Sequence, residues 1–125
     1  ATLLYDVAVP ISKIAELVER VEGLATKYNL TIGIFGHAGD GNMHPTIIYP
    51  HNDKEAEGRA LKAFNEIIAL AQSLGGTASG EHGIGGLKIS ALLNETPERI
   101  LKIQREIKLI LDPNKIFNPG KKFPL

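Results

Sequence analysis

The chain has no cysteine. Disulfides, cysteine-type zinc sites and thiol catalysis are therefore excluded, and nothing is learned about the redox state of its compartment. It also lacks net charge: 14 basic residues balance 14 acidic ones, so bulk electrostatics favours neither nucleic acid nor an anionic membrane. No apolar run approaches the length of a membrane span, and no signal peptide precedes Ala1. Internal repeats and low-complexity segments are absent. What remains is 125 residues, 43 % hydrophobic and 22 % charged, which suits one soluble globular domain with a modest core. The first residues read directly into a strand, as though the chain continued a longer one.

Leu3, Tyr5, Val7 and Val9 alternate as one face of a strand. Pro10 ends that ladder and suits the first position of a helix. Ile11, Ile14, Val18, Val21 and Ala25 then recur at helical spacing. A second strand is expected over residues 31–35 and a third over 44–49, where Pro45 argues for an edge or irregular position. Asn52 with Glu55 resembles a capping box for a second helix, whose stripe is Ala60, Phe64, Ile67, Ala71 and Leu74, with Leu61 and Ile68 beside it. Gly75-Gly76 ends it, and a short fourth strand is expected over 76–78. The fold class is therefore α+β: a ferredoxin-like βαββαβ antiparallel sheet with two helices on one face, over residues 1–80. Residues 81–125 form a C-terminal helical extension. One short helix is predicted over 86–93. Another opens with Thr96 as N-cap and Pro97 at its first position, carries Ile100, Ile103, Ile107 and Ile110, and stops at Asp112-Pro113.

The chemistry gathers in two glycine-rich clusters. The first is Gly36-His37-Ala38-Gly39-Asp40-Gly41-Asn42-Met43-His44, flanked by strands; its Asp-Gly step signals a hairpin. If His37 and His44 came opposite each other, their Cβ atoms would stand roughly 4.5–5.5 Å apart and could share a metal ion. A plain turn with two satisfied histidines, or a phosphate nest, fits the composition as well. A P-loop does not, since no lysine follows and no helix begins. Strand parity sends Ile32, Ile34, Ile47 and Tyr49 toward the helices. Phe35, His37, His44, Thr46 and Ile48 go to the opposite, open face, which another domain or subunit is expected to cover.

The second cluster is Ser79-Gly80-Glu81-His82-Gly83-Ile84-Gly85-Gly86-Leu87-Lys88. Two imidazoles and a carboxylate with one open position are the ligand set of a catalytic divalent metal. Glu81 and His82 are adjacent, so in an extended segment only one points at a given ion; Glu81 suits a ligand and His82 a free acid–base group. A Glu81–lysine pair with a surface His82 is the plainer alternative. His51 reads as a surface histidine, and Lys88 as a helix residue or a carboxylate binder.

With Asp112-Pro113 and Asn118-Pro119-Gly120-Lys121, and with Val7-Ala8-Val9-Pro10 entering the first helix, these clusters resemble the C-terminal domain of FAD-linked oxidases. That family includes the glycolate oxidase flavin subunit, D-lactate dehydrogenases and D-2-hydroxyglutarate dehydrogenase. The resemblance covers essentially the whole chain. It implies FAD bound mainly by a separate FAD-binding domain, which this chain caps on the substrate side. It also implies a divalent metal, zinc or manganese, on His37, His44 and Glu81. His82 would be the catalytic base, Asn42 would lie near the substrate, and Asn118, Gly120 and Lys121 would approach the flavin. The substrate would be a small 2-hydroxy acid of the glycolate or D-lactate type, oxidised to the 2-oxo acid. The metal would acidify its hydroxyl, His82 would take the proton, and the flavin would receive the hydride. An electron-acceptor subunit is a further implied partner, with a cytoplasmic location, peripheral to a membrane only through such subunits. No flavin domain is found in these residues, so no turnover is expected from them alone. Two rival readings are a metal- or ligand-binding ferredoxin-like regulatory or assembly module, and a metal hydrolase using His82 as base.

Overall fold

The computed structural model describes residues 1–123 and divides them into two compact units, Ala1–His82 and the residues from Gly83 onward. The first unit holds β1 (Thr2–Leu4), β2 (Val7–Ala8), α1 (Ile14–Tyr28), β3 (Thr31–His37), β4 (Asn42–Ile48) and α2 (Lys54–Ser73). All strand pairings are antiparallel, and the class is α+β. β3 pairs along the whole of β4, so β1 and β2 share its other edge, end to end.

Pro45 thus sits in the central strand, not at an edge, and its irregularity falls on the neighbour. Tyr5 donates its N–H to the Pro45 carbonyl at 3.1 Å. Proline has no N–H to return the bond. The strand expected to run unbroken from Leu3 to Val9 is accordingly interrupted at Tyr5 and Asp6. The β3 side of β4 is untouched, from Thr31 against Ile48 to His37 against Asn42.

α1 buries Leu17 and Val21, while Ile11 is exposed. The apolar stripe is therefore shifted from the one expected. Pro10 opens a 3-10 turn over Ile11–Lys13, with three residues per turn, and this takes Ile11 off the helix face. In α2 the expected stripe of Ala60, Phe64, Ile67, Ala71 and Leu74 is buried, though Leu61 is exposed. The Phe64 ring lies 3.9 Å from that of Tyr5. Its N-cap is Asp53 rather than Asn52: one carboxylate oxygen accepts from the N–H groups of Glu55 at 3.0 Å and Ala56 at 2.9 Å. Asn52 instead takes a left-handed φ of 65° in the turn before it. On the surface, Glu66 of α2 ties down α1, accepting from Lys27 at 2.7 Å and the Tyr28 hydroxyl at 2.6 Å.

The fourth strand expected over 76–78 is reduced to one antiparallel bridge, Thr77 against Ala8. A Cβ at Gly76 would lie 2.0 Å from the Ala8 carbonyl oxygen, so only glycine permits this approach. The chain then leaves the sheet edge toward the histidines. Ile47 is fully buried on the helix side of the sheet, and Leu4, Phe35 and Ile48 are exposed on the other, as strand parity requires.

The second unit contains α3 (Ile89–Glu95) and α4 (Glu98–Leu111). α3 begins three residues later than Gly86, the start read from the sequence. Pro97, not Thr96, is the N-cap of α4. Leu92, Leu101 and Phe123 form a small core with Ile84 against it. The predicted apolar stripe of α4 does not enter it: Ile100, Ile103, Ile107 and Ile110 are 43 % to 79 % exposed. α4 ends at Asp112, whose carboxylate accepts from the N–H groups of Ile116 at 2.9 Å and Phe117 at 3.0 Å and from the Lys108 ammonium. The Lys108 ammonium, with help from those two amides, holds the Asp112 carboxyl below the usual carboxylate range despite its burial. Among the described residues no helix is long and apolar enough to cross a membrane.

Candidate active site

The β3–β4 hairpin closes through a 3-10 turn over Ala38–Asp40, followed by Gly41 at φ 73°. A Cβ on Gly41 would lie 2.1 Å from the Val9 carbonyl oxygen, so the residue has to be glycine. This turn is longer than a two-residue Asp-Gly hairpin. The register places Phe35 against His44 and His37 against Asn42. His37 and His44 are thus diagonal neighbours on one face rather than a direct pair. Their rings still meet, 5.4 Å apart and edge to face.

The segment after the Thr77 bridge brings the second cluster to them. Glu81 Oε1 lies 3.2 Å from His44 Nε2, 3.4 Å from His37 Nε2 and 3.5 Å from His82 Nε2. The His82 ring stacks on His44 at 4.8 Å, nearly parallel. One donor atom from each of His37, His44 and Glu81 falls within 4.8 Å of the other two. Tetrahedral coordination at zinc bond lengths sets neighbouring donors roughly 3.4 Å apart. The two His–Glu separations fit that edge, so the donor set suits a divalent ion. His44 is buried, while His37, Glu81 and His82 are about half exposed, which leaves one side open to a ligand.

Asn42 is buried on the same face. Its amide lies so close to Gly80 that a Cβ there would stand 2.2 Å from Asn42 Oδ1. Among the described residues, buried Asn42 Oδ1 and His44 Nδ1 have no hydrogen-bond partner. The orphaned Asn42 oxygen, beside three imidazoles and a carboxylate, suits a place for a polar ligand.

One residue escaped the sequence reading. Asp6 is wholly buried, and its Oδ2 accepts the N–H of His82 at 2.8 Å and that of Glu81 at closer range. Ser79 Oγ donates to Asp6 Oδ1 at 3.2 Å. The available signal was an acid on the alternate face of an apolar strand. His51 is exposed in the turn before α2, and Lys88 is the buried N-cap of α3.

Asn118, Gly120 and Lys121 belong to the second unit. Asn118 and Gly120 take left-handed φ values of 49° and 70°, and the Lys121 N–H donates to the Asn118 carbonyl at 3.2 Å. Asn118 and Lys121 line an open groove of about 550 Å³ with Lys108, Phe117, Lys122 and Phe123. Its aromatic and cationic walls suit a flat, anionic ligand.

The fold and the cluster define a class: an α+β domain that presents histidines and a carboxylate on the open face of a small sheet. The chain belongs to the family of FAD-linked oxidases, as their C-terminal domain, whose pattern matches residues 1–122. It is 42 % identical to the glycolate oxidase subunit GlcD of Bacillus subtilis over 122 residues, covering 98 % of this chain and 26 % of that protein. It is 43 % identical over 119 residues to a D-lactate dehydrogenase of Archaeoglobus fulgidus, covering 94 % of this chain and 26 % of that protein. With the GlcD subunit of Escherichia coli the identity is 34 % over 119 residues, 95 % of this chain and 24 % of that one. The chain thus spans about a quarter of the length of these relatives.

Proposed function

We propose that this domain is the substrate-side cap of a flavoprotein that oxidises a small 2-hydroxy acid, of the glycolate or D-lactate type, to the 2-oxo acid. The observation that carries the reading is the convergence of His37, His44, Glu81 and His82 around one carboxylate oxygen. His37, His44 and Glu81 would hold a divalent ion, zinc or manganese, while Asn118, Gly120 and Lys121 would meet FAD held mainly by another domain. When bound, the ion would supply Lewis acidity toward the substrate hydroxyl and the flavin would supply the hydride acceptor.

The chain's own residues do the rest. His82 offers an imidazole at the open side of the cluster and takes the proton of the substrate hydroxyl, the usual task of a histidine general base. His44, buried and stacked on His82, fixes the plane of that ring. Asn42, wedged against Gly80, presents an amide that orients the substrate's oxygens. The exposed Leu4, Phe35 and Ile48 on the same face favour a covering domain that would keep water from the reacting carbon.

Stopped-flow reduction of the bound flavin by a panel of 2-hydroxy acids, in the intact protein, tests this. Glycolate or D-lactate should reduce it. His82→Ala should keep the metal and slow reduction by about 10²–10⁴-fold, the usual contribution of a general base. His37→Ala should lose stoichiometric metal. Native reduction rates in the first variant, or native metal content in the second, would remove the role assigned to that residue.

A further inference from the structure

We propose that Asp6 is the positioning residue that turns Glu81 and His82 together onto the hairpin histidines, a role that rests on the metal-and-base reading above. Leu4 stands against Thr46 and Val7 against Met43, so the two short strands keep a single register on β4. Asp6, between them, comes abreast of His44, and antiparallel partners share a face. Its side chain therefore rises among the histidines, while Tyr5 and Val7 are buried on the other side. Pro45 frees this short stretch from regular pairing, and the carboxylate uses that freedom to bond the incoming segment.

The bonding pattern is specific. Two successive main-chain N–H groups, of Glu81 and His82, aim at Asp6 Oδ2, and Ser79 Oγ reaches Oδ1. Consecutive amides directed at one anion form a nest, a conformation that bends the chain. In an extended segment, adjacent side chains point to opposite faces. Around this nest they do not: Glu81 Oε1 and His82 Nε2 end 3.5 Å apart, both beside His44. An asparagine could still turn its oxygen to both amides and its NH2 to Ser79 Oγ, but only as a neutral acceptor, so the charge of Asp6 is what strengthens the anchor. Bonds to an ionised acceptor are roughly twice as strong as neutral ones. Gly80, just before the nest, gives the segment no stiffness of its own. Asp6 thus fixes where ligand and base sit through their main-chain amides.

Asp6→Asn in the intact protein, compared with wild type and His37→Ala, tests this through amide hydrogen exchange, zinc titration against a competing chelator, and thermal melting. In Asp6→Asn the Glu81 and His82 amides should exchange at least about tenfold faster while the β3–β4 amides stay protected. Zinc affinity should fall by about 10–100-fold, as when other partners behind metal ligands are removed. His37→Ala should lose zinc with the two amides still protected. Unchanged exchange in Asp6→Asn overturns the anchor. Faster exchange with native zinc affinity reduces Asp6 to a packing role and overturns the positioning. Wild-type protein that takes up no zinc defeats the metal reading, and the exchange rates then judge the nest by themselves. If Asp6→Asn does not fold, Asp6→Glu keeps charge and acceptor but adds a methylene. It should fold with zinc affinity lowered severalfold, and native affinity in it overturns the proposal.

Discussion

α2 and α4 carry the same kind of sequence signature and meet opposite ends. Each has an apolar stripe at helical spacing. In α2 it is buried: Ala60, Phe64, Ile67 and Ala71 sit at 3 % exposure or less. In α4 the isoleucines at 100, 103, 107 and 110 are exposed, and Leu101, off the stripe, enters the small core. Periodicity reports that a helix forms and which side of it is apolar. Whether the partner for that side is present is a separate matter, decided by the rest of the chain.

The largest effect that could break this contrast is in α2. Ile67 is almost fully buried in the larger core, so Ile67→Ala should cost about 2–5 kcal/mol, read from the shift of a urea midpoint. A cost below about 1 kcal/mol would mean that the sheet-facing side of α2 is no better packed than α4. The ends of the two helices sharpen the point at smaller magnitude. Asp53 caps α2 with two bonds, whereas among the described residues α4 has no side-chain cap. Asp53→Ala should cost about 1 kcal/mol. Loss of nothing measurable there would make the cap a bystander.

Much of this arrangement was legible in the residues. Strand parity put Phe35, His37 and His44 on the open face, and α2 was placed by its stripe and by the glycines that end it. What escaped depends on pairings between distant segments. The Asp-Gly step signals a hairpin but not its turn length, so the diagonal meeting of His37 and His44 became visible only with the register. Pro45 argues for irregularity in its own strand, yet its missing N–H interrupts the neighbouring one. Asp6 carries no local signal of its role, because its partners lie in a segment more than seventy residues away. Ile100, Ile103, Ile107 and Ile110 mark one side of α4 as apolar, but composition says nothing about whether a covering surface exists.

The end of α4 offers a test by pH. The Asp112 carboxyl is held low by Lys108 and the two tail amides. A carboxyl lowered in the folded state stabilises the fold above its unfolded pKa, and that stabilisation disappears as pH falls through the lower, folded value. The turn over residues 112–117 should therefore hold through neutral and mildly acid pH, then open below the ordinary aspartate range near about 3.9. Exchange of the Ile116 and Phe117 amides reads this directly. Asp112→Asn should open the turn at every pH. Protection that persists in that variant would show that the tail is held by something other than this carboxylate.

The smallest expected effect bears most directly on the contrast between the helices. Ile107 is half exposed at the centre of the α4 stripe, so its truncation removes little buried surface. Ile107→Ala should change stability by less than about 0.5 kcal/mol, as exposed substitutions do. Alanine is also the better helix former, which offsets part of the loss. If the α4 stripe packed like that of α2, the same change would cost about 2–5 kcal/mol, the ordinary cost of emptying a buried isoleucine site. A urea midpoint separates the two outcomes cleanly, because both variants remove the same atoms from a helix of similar pattern. Equal costs for Ile67→Ala and Ile107→Ala would mean that the α4 stripe is covered after all, and the distinction between a satisfied and an unsatisfied apolar face would collapse.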